Sequence, residues 1–343
     1  MHVALEVRHC NLATNTEKSN LKQGFIFADL FAGIGGMRLA FERAGGRCVL
    51  TSEIDERALQ TYFCNFPPRD DHVIHRDVLT LKKEHFPLAE GQLDVVVAGF
   101  PCQPYSIAGL RKGLEDDRGG EIFTALLRVL KEVQPRSFLL ENVKGIRSHD
   151  GGLTFKYMLQ ELSRTGYHLR HETLNSMRHA NVPQNRERVF IVGFRDEEQA
   201  RKFEFPKPIE LTRSIHDCLQ DPSDVGPGFY YDNRYSAYSE IKKSVTKSDT
   251  VYQWRRQYVR ENKSNACPTL TANMGSGGHN VPLVKDKKGV RKLTPRETAN
   301  FQGFPANFLL PNLAQSHLYH QFGNSVTVPL IEKLAKGIAK ALS

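Results

Sequence analysis

The cysteine at position 102 has surroundings that suit a nucleophile. Cys102 lies in GFPCQPYS (99–106), at the end of the apolar stretch LDVVVAGF (93–100), and prolines on either side restrict the backbone. A free thiol with a pKa of about 8.5 is only slightly ionised at neutral pH, and a helix N-terminus or a nearby cation would increase the thiolate fraction. A lone cysteine is more often a small buried apolar residue, so Cys102 indicates catalysis only together with other motifs.

One acid and two arginines are further candidates for chemistry. Glu141 lies in SFLLENV (137–143), and Arg186 and Arg188 lie in QNRER (184–188). A carboxyl group at the tip of a buried strand loses solvent, which raises carboxyl pKa values and favours proton donation. In an extended segment the two arginines would point to the same face. Surface ion pairing is the alternative for both of them.

A glycine-rich turn precedes these residues. DLFAGIGG (29–36) follows an apolar stretch, and glycines there let a ligand approach the backbone and the start of the next helix. Glu53 lies about 20 residues further on, where an acid commonly binds a ribose hydroxyl pair. Together they indicate a nucleoside-bearing cofactor, although dinucleotide, nucleotide and adenosylmethionine sites share this outline. Tight packing of strand on helix is the alternative for the glycines.

The elements that must position these residues alternate between strands and helices. The sequence predicts strands at 25–31, 47–55, 72–79, 93–100, 137–143 and 188–194, and helices at 37–45, 56–66, 121–134, 154–167 and 329–342. This alternation predicts an α/β fold with parallel pairing, in an open sheet covered on both faces. Ligands of such sheets bind beyond the carboxyl ends of the strands, and the candidate residues fall near those ends.

A second region differs in composition and charge. From about Arg201 to Val290 helices are hard to identify, and Gly, Ser, Asn, Tyr and Pro are frequent, which predicts a smaller, irregular domain. Residues 241–290 contain ten Lys or Arg against three acids, so this segment carries +7 of the net charge of +9. Such a basic block favours a polyanionic partner, and a solvated charged face is the alternative.

Length and composition exclude several classes of protein. The 343 residues, 40% apolar and 25% charged, are typical of a globular protein with two domains. No apolar stretch reaches membrane-spanning length, and the N-terminus resembles no export signal, so we expect a cytoplasmic protein without membrane contact. The six cysteines form no C-x-x-C pair, and we expect free thiols and no metal site.

The motifs together resemble the bacterial-type cytosine-5 DNA methyltransferases. The resemblance runs from about Phe25 to the C-terminus and rests on motifs in the family's order: DLFAGIGG, SEID, RDV, GFPCQPYS, ENV, QNRERVF, RKLTPRETANFQGFP and QFGNSVTVP. It implies an adenosylmethionine-dependent methyltransferase (Rossmann-like) sheet domain with a smaller, irregular, strand-rich target recognition domain. The implied division is an N-terminal extension (1–24), a catalytic and cofactor-binding domain (25–200), a target recognition domain (201–290), a hinge region (291–320) and a C-terminal return (321–343).

The resemblance also implies a mechanism. The Cys102 thiolate would attack carbon 6 of a cytosine that is flipped out of duplex DNA, while Glu141 holds or protonates ring nitrogen 3. Arg186 would bind the ring carbonyl, and Arg188 would support that cluster. Carbon 5 would then take the methyl group of S-adenosyl-L-methionine. The residues implied to bind this cofactor are Phe31, Gly33, Gly36, Glu53, Ile54, Asp77, Pro101, Asn324, Ser325 and Val326.

The implied partner is double-stranded DNA, with a cognate restriction endonuclease acting separately, and the implied state is a monomer. The segment Gln103 to Gly120 resembles the loop that closes over the target base. The implied DNA contacts are Gln103, Ser106, Arg111, Arg118, Arg255, Arg256, Arg260, Thr269 and Gly277. Any one of these arginines could contact a phosphate instead of a base.

Three other functions compete with DNA methylation. One eukaryotic branch of the same family methylates transfer RNA, but this chain has a full, basic recognition region. A catalytically silent DNA-binding protein predicts the loss of Cys102, Glu141 or Arg186, and all three are present. A nucleotide-dependent dehydrogenase would leave the PCQ and ENV motifs unexplained.

Overall fold

The computed structural model describes residues 24–89, 91–101, 118–263, 265–275 and 279–343. The strands are Ile26–Leu30 (β1), Arg47–Ser52 (β2), Val73–His75 (β3), Val95–Gly99 (β4), Ser137–Val143 (β5), His168–Asn175 (β6), Gln184–Asn185 (β7), Glu187–Phe194 (β8), Tyr252–Trp254 (β9), Val259–Arg260 (β10), Cys267–Pro268 (β11), Val281–Asp286 (β12) and Gly289–Lys292 (β13). The α-helices are Gly36–Arg43 (α1), Glu56–Asn65 (α2), Arg118–Val133 (α3), Leu153–Arg164 (α4), Ser176–Ala180 (α5), Glu197–Lys202 (α6), Tyr238–Ser244 (α7), Pro295–Phe301 (α8), Gln315–Asn324 (α9) and Val328–Leu342 (α10).

The main sheet of the described chain has the order β3-β2-β1-β4-β5-β8-β6. The predicted parallel pairing is confirmed for β1 to β5 but is wrong for β8, which runs antiparallel to both of its neighbours. Strand β6 was not predicted, because this edge strand is largely exposed and its sequence, HLRHETLN, contains no apolar run.

The reversed direction of β8 decides which residues meet. The amino end of an antiparallel strand lies at the same edge as the carboxyl ends of its parallel neighbours. In this register Val143 pairs with Arg188 and Glu141 pairs with Phe190. The QNRER segment therefore reaches the edge where β1 to β5 end, and a parallel β8 would have placed it at the opposite edge.

Helices cover both faces of the main sheet. On one face α1 and the C-terminal helix α10 contribute Phe41, Leu334 and Ile338 to a core with Phe27 and Val192 of the sheet. On the other face α3 and α4 pack apolar side chains, Leu126, Leu130 and Met158 among them, against β4 and β5. Burial of these two faces is the main source of stability for such a layered fold.

The part of the chain that was predicted to recognise the target, residues 201–290, is called the recognition region below. It contributes most of a smaller sheet with the strand order β10-β9-β12-β13. Its apolar face packs on α7 through Ile241, Tyr252 and Leu283. A separate parallel pair, β7 with β11, joins Gln184 to Cys267 and so connects this region to the start of β8. These features confirm the predicted α/β fold with a smaller, irregular, strand-rich part.

No helix in the described ranges is both long and apolar enough to cross a membrane.

Candidate active site

An acid and an arginine form an ion pair where β5 ends and β8 begins. Arg188 Nε lies 3.0 Å from Glu141 Oε1, and the two side chains are 15% and 12% exposed. The second arginine nitrogen, Nη1, donates to the backbone carbonyl of Glu187 at 2.8 Å. We call this position, with Glu141 and Arg188, the catalytic edge. Both charged groups are held in fixed positions and still reach solvent.

Arg186 is buried and has different partners. Its Nη1 donates to the carbonyl of Leu270 at 2.9 Å, and its Nη2 donates to those of Gly323 and Ser325 at 3.3 and 2.6 Å. Nε has no hydrogen-bond partner among the described residues. Burial lowers the pKa of Arg186, and the neighbouring charge of Arg188 acts in the same direction. Arg186 thus connects β8 to the recognition region and to the C-terminal segment, and its contact with a base stays a prediction.

The turn that leads to Cys102 is connected to the catalytic edge. Asn142 Nδ2 donates to the carbonyl of Phe100 at 3.2 Å, and a Cβ added to Gly99 would lie 3.6 Å from Glu141 Oε2. The sequence analysis gave Asn142 no role, although the ENV motif contains it. Cys102, with Gln103, Ser106 and Arg111, lies outside the described residues.

The glycine-rich turn and Glu53 are in direct contact. Gly33 N donates to Glu53 Oε2 at 2.7 Å, and Asp55 N donates to Glu53 Oε1 at 2.7 Å. Phe31 and Gly33 both have φ of +56°, a left-handed conformation that glycine adopts freely and phenylalanine rarely. Burial raises the pKa of Glu53, while the backbone donors oppose that shift. The carboxylate is therefore fixed next to the turn, as a ribose-binding acid would need to be.

The C-terminal segment closes against the same turn. A Cβ added to Gly36 would lie 2.8 Å from Ser325 Oγ and 3.0 Å from Val326 Cγ2. Because Ser325 also accepts a hydrogen bond from Arg186, one residue contacts both the glycine turn and the arginine. The structure thus brings Ser325 and Val326 to Gly36, although almost 300 residues separate them in sequence.

The other residues that were predicted to bind the cofactor form no described hydrogen bond with Gly36, Ser325 or Val326. Ile54 is 64% exposed, and Pro101 and Asn324 are exposed as well. Asp77 caps a 3₁₀ turn by accepting from Leu79 N at 2.9 Å and follows β3, the neighbour of β2. No described hydrogen bond joins Asp77 or Pro101 to Glu53, so these residues share an edge of the sheet without forming a network.

Asp29, at the end of β1, is a buried acid that the sequence analysis did not single out. Its Oδ2 accepts from Arg38 N at 3.1 Å, and its Oδ1 has no partner within the described chain. Burial raises the pKa of Asp29 to about 8. The signal for it was available, because Asp29 opens the DLFAGIGG motif.

The predicted DNA contacts divide into two places. A cleft of about 650 Å³ is lined by Arg255, Arg260 and Thr269, and the Thr269 hydroxyl donates to the carbonyl of Asn185 at 2.7 Å. Arg256 lines a different pocket, of about 350 Å³, beside Trp254. Arg118 is described only as the first residue of α3, and Gly277 lies outside the described residues. None of the described side chains forms a cluster suited to a metal ion.

Comparisons with known proteins agree on one family. The family model for C-5 cytosine-specific DNA methylase matches residues 25–340. The chain is 48% identical over 317 residues to the Type II methyltransferase M.Bsp6I of Bacillus sp. (strain RFL6), which covers 92% of this chain and 98% of that protein. It is 34% identical to the Type II methyltransferase M.HpaII of Haemophilus parainfluenzae, covering 94% of this chain and 91% of the relative.

Solved structures share the fold at lower sequence identity. The Entamoeba histolytica methyltransferase EhMeth has a TM-score of 0.71 at 18% identity, covering 94% of this chain and all of that one. The S. pombe Dnmt2 methyltransferase has a TM-score of 0.70 at 20% identity, with 93% and 99% coverage. The sequence matches, which extend over nearly the whole chain, place this protein in the C-5 cytosine-specific DNA methylase family, as a DNA (cytosine-5)-methyltransferase.

Proposed function

We propose that this enzyme methylates carbon 5 of a cytosine that is rotated out of duplex DNA, through a transient covalent bond to Cys102. The observation that carries this proposal is the Glu141–Arg188 ion pair at the catalytic edge. Cys102 is the third residue after Gly99, whose added Cβ would lie within 4 Å of the Glu141 carboxylate. A nucleophile, an acid and a fixed cation therefore belong to adjoining strand ends.

Each of these groups has one task. The Cys102 thiolate adds to carbon 6 of the ring, and the π pair of the C5–C6 bond moves into the C4–C5 bond. The π pair of the C4–N3 bond moves onto ring nitrogen 3, where Glu141 supplies a proton or a hydrogen bond, and an enamine results. Carbon 5 of this enamine is nucleophilic and would take the methyl group of S-adenosylmethionine, whose sulfur would keep the electron pair of the broken S–CH3 bond. Loss of the proton from carbon 5 and departure of the Cys102 sulfur then restore the aromatic ring.

Arg188 suits the contact with the ring carbonyl better than Arg186. The Arg188 side chain is 15% exposed and already adjoins Glu141, whereas both terminal nitrogens of Arg186 are bound to backbone carbonyls. A cation fixed before the reaction stabilises developing negative charge without reorganisation. We therefore assign the carbonyl contact to Arg188 and a positioning role to Arg186, which reverses the assignment made from the sequence alone.

S-adenosylmethionine, when bound, would supply an electrophilic methyl group. The residues around the glycine turn fit such a group, because a Cβ added to Gly33 would meet no described atom within 4 Å and the Glu53 carboxylate is fixed beside this open position. The exposed Ile54 side chain is an apolar surface that an adenine ring could cover. Glu53 would hold the ribose hydroxyls, and Asp77 would accept from the adenine amino group.

The relatives named as Type II methyltransferases support two further assignments. We infer that the substrate is a short specific sequence in double-stranded DNA, and that a separate restriction endonuclease recognises the same sequence. Extrusion of the cytosine is required because carbon 6 is inaccessible to a thiolate inside a stacked duplex.

Substitution of the nucleophile tests the proposal. We expect Cys102→Ser to abolish methylation, scored by bisulfite sequencing of DNA from expressing cells, while DNA affinity is largely retained. Cys64→Ser, at a half-buried cysteine on α2, is the matched control and should keep activity. Undiminished methylation by Cys102→Ser would refute the assignment. Parallel assays on transfer RNA distinguish the RNA-modifying alternative.

The cofactor assignment has its own test. We expect Glu53→Ala to weaken S-adenosylmethionine binding by about tenfold or more, measured by calorimetry, because a hydrogen bond to a charged group contributes about 1.5–3 kcal/mol. DNA affinity should change much less. Equal losses for the cofactor and for DNA would count against the ribose role.

A further inference from the structure

The small sheet of the recognition region has two chemically different faces. Side chains alternate along a strand, so Gln253 and Trp254 of β9 point to opposite faces. Arg255 directly follows this strand. Arg260 pairs with Gln253 across β10 and β9. The polar members Gln253, Arg255 and Arg260 line the cleft of about 650 Å³, whereas Trp254 lines the pocket on the opposite side.

Asn280 belongs to the same polar face. β12 pairs with β9 so that Val281 is opposite Trp254, and Asn280 and Arg255 are the residues that directly adjoin this pair. Asn280 also lines the cleft. We call Gln253, Arg255, Arg260 and Asn280 the recognition face.

Two atoms of this face are buried without a partner. Arg255 Nε, a donor, and Asn280 Oδ1, an acceptor, have no hydrogen bond within the described chain. An unpaired buried polar atom costs about 1–3 kcal/mol, so a protein rarely keeps a donor and an acceptor of one cleft in this state unless a ligand completes them. A ligand that completes both atoms offers an acceptor to Arg255 and a donor to Asn280.

The opposite wall of the cleft comes from the catalytic part of the chain. Asn175, Arg178 and Asn185 line it, and Asn185 directly precedes Arg186. The cleft also contains Lys263 and Glu261, and the Glu261 charge is already paired with Lys247 at 2.6 Å. The cations of the cleft thus face a space that adjoins the catalytic edge, and a polyanion is the partner that they suit.

From this arrangement, we propose that Arg255 and Asn280 together read one G·C base pair in the major groove of the substrate DNA. The guanine edge presents two acceptors, N7 and O6, and the paired cytosine presents its N4 amino donor. The Arg255 guanidinium donates to the guanine, and Asn280 Oδ1 accepts from the cytosine amino group. This assignment rests on the proposed function and adds the residues that determine its sequence specificity.

A random-sequence duplex library tests the proposal. Wild-type enzyme methylates the library, bisulfite sequencing gives its base preference at each position, and Arg255→Lys is compared with it. Lysine keeps the charge but loses the planar donor pair. We expect the preference for guanine at one position to fall by between about 5-fold and about 150-fold, while the preferences at other positions persist. An equal loss of methylation on every sequence would overturn the proposal, because it would make Arg255 a phosphate contact.

Asn280→Gly provides a second variant that the backbone tolerates, since Asn280 has φ of +58°. This variant should weaken the base preference at the same position of the DNA as Arg255→Lys. A weaker preference at a different position, or at none, would contradict the proposal that the two residues read one base pair. Arg234→Lys, at an exposed arginine bound to Asp232, is the control and should leave the profile unchanged.

A binding selection on the same library gives a readout that needs no turnover. If wild-type protein methylated no cytosine, the proposed function would fail, yet the binding profiles would still report whether both variants lose the same G·C pair. Binding profiles identical to that of the wild type would overturn the inference.

Discussion

The two arginines at the start of β8, Arg186 and Arg188, differ from the arginines of the recognition face in what they bind. Arg186 and Arg188 are held by backbone carbonyls and by Glu141, so their positions are fixed before any substrate arrives. Arg255 and Arg260 line an open cleft, and neither forms a salt bridge within the described ranges. Internal pairing suits a group that must stabilise a reacting ring, and unpaired charge suits a group whose partner is another molecule.

The largest effect should come from the catalytic edge. We expect Arg188→Ala to lower kcat by about 10²- to 10³-fold, the loss typical for removal of one preorganised donor. Affinity for DNA should stay within a few fold, because Arg188 is paired internally. Single-turnover methylation and a binding titration measure the two quantities. A variant that lost DNA affinity but kept its kcat would show that Arg188 binds DNA and does not act in the reaction.

Arg186 should act mainly on stability. Arg186→Met removes donors from three backbone carbonyls, and we expect the free energy of unfolding to fall by about 3 kcal/mol in urea titrations. Arg260→Met, at an exposed position, is the control and should change stability by no more than about 0.5 kcal/mol. Similar losses in both variants would show that the two regions do not differ in this respect.

The pH dependence of the free energy of unfolding tests whether Asp29, at the buried end of β1, is uncharged in the folded protein. Its pKa in the folded protein is about 8 against 3.8 in the unfolded chain, so the folded state holds the extra proton between these values. The contribution of Asp29 to the free energy of unfolding is therefore fully present below about pH 4. It is lost as the pH rises through 8, with a slope of up to about 1.4 kcal/mol per pH unit.

Asp29→Asn keeps an acceptor for Arg38 N and cannot ionise. We expect its unfolding free energy to lack that part of the pH dependence, measured by urea unfolding between pH 5 and pH 8. Parallel curves for the variant and the wild type would mean that Asp29 is charged in the folded protein.

The smallest effect should come from one cation of the recognition face. We expect Arg260→Gln to reduce the slope of log affinity against log salt by about 0.9, the value for one released counterion on duplex DNA. Its sequence profile should stay unchanged. Titrations at several salt concentrations measure the slope, and an unaltered slope would exclude a phosphate contact.

Much of the fold could be predicted because apolar runs mark buried strands and the candidate residues follow them. The direction of β8 could not, since the run RVFIVGF has the same appearance whichever way the strand runs. The roles of Arg186 and Arg188 depend on that direction and on which carbonyls lie near each, so the sequence alone could not distinguish these two residues of one type.

The recognition face could not be predicted from the sequence for a similar reason. Arg255 and Asn280 adjoin the Trp254–Val281 pair of β9 and β12, although 24 residues lie between them in the sequence. The count of charges identified the basic region but could not distinguish Arg255 from Arg256, although the two residues line different pockets.

The most direct test of the central claim is to trap the bond between Cys102 and the base. A duplex that carries 5-fluorocytosine at the target position blocks the last step, because fluorine cannot leave carbon 5 as a proton does. With S-adenosylmethionine, wild-type protein should form a complex with this duplex that survives denaturing electrophoresis, and Cys102→Ser should form none. Methylation of the unfluorinated duplex without any such complex would contradict the account.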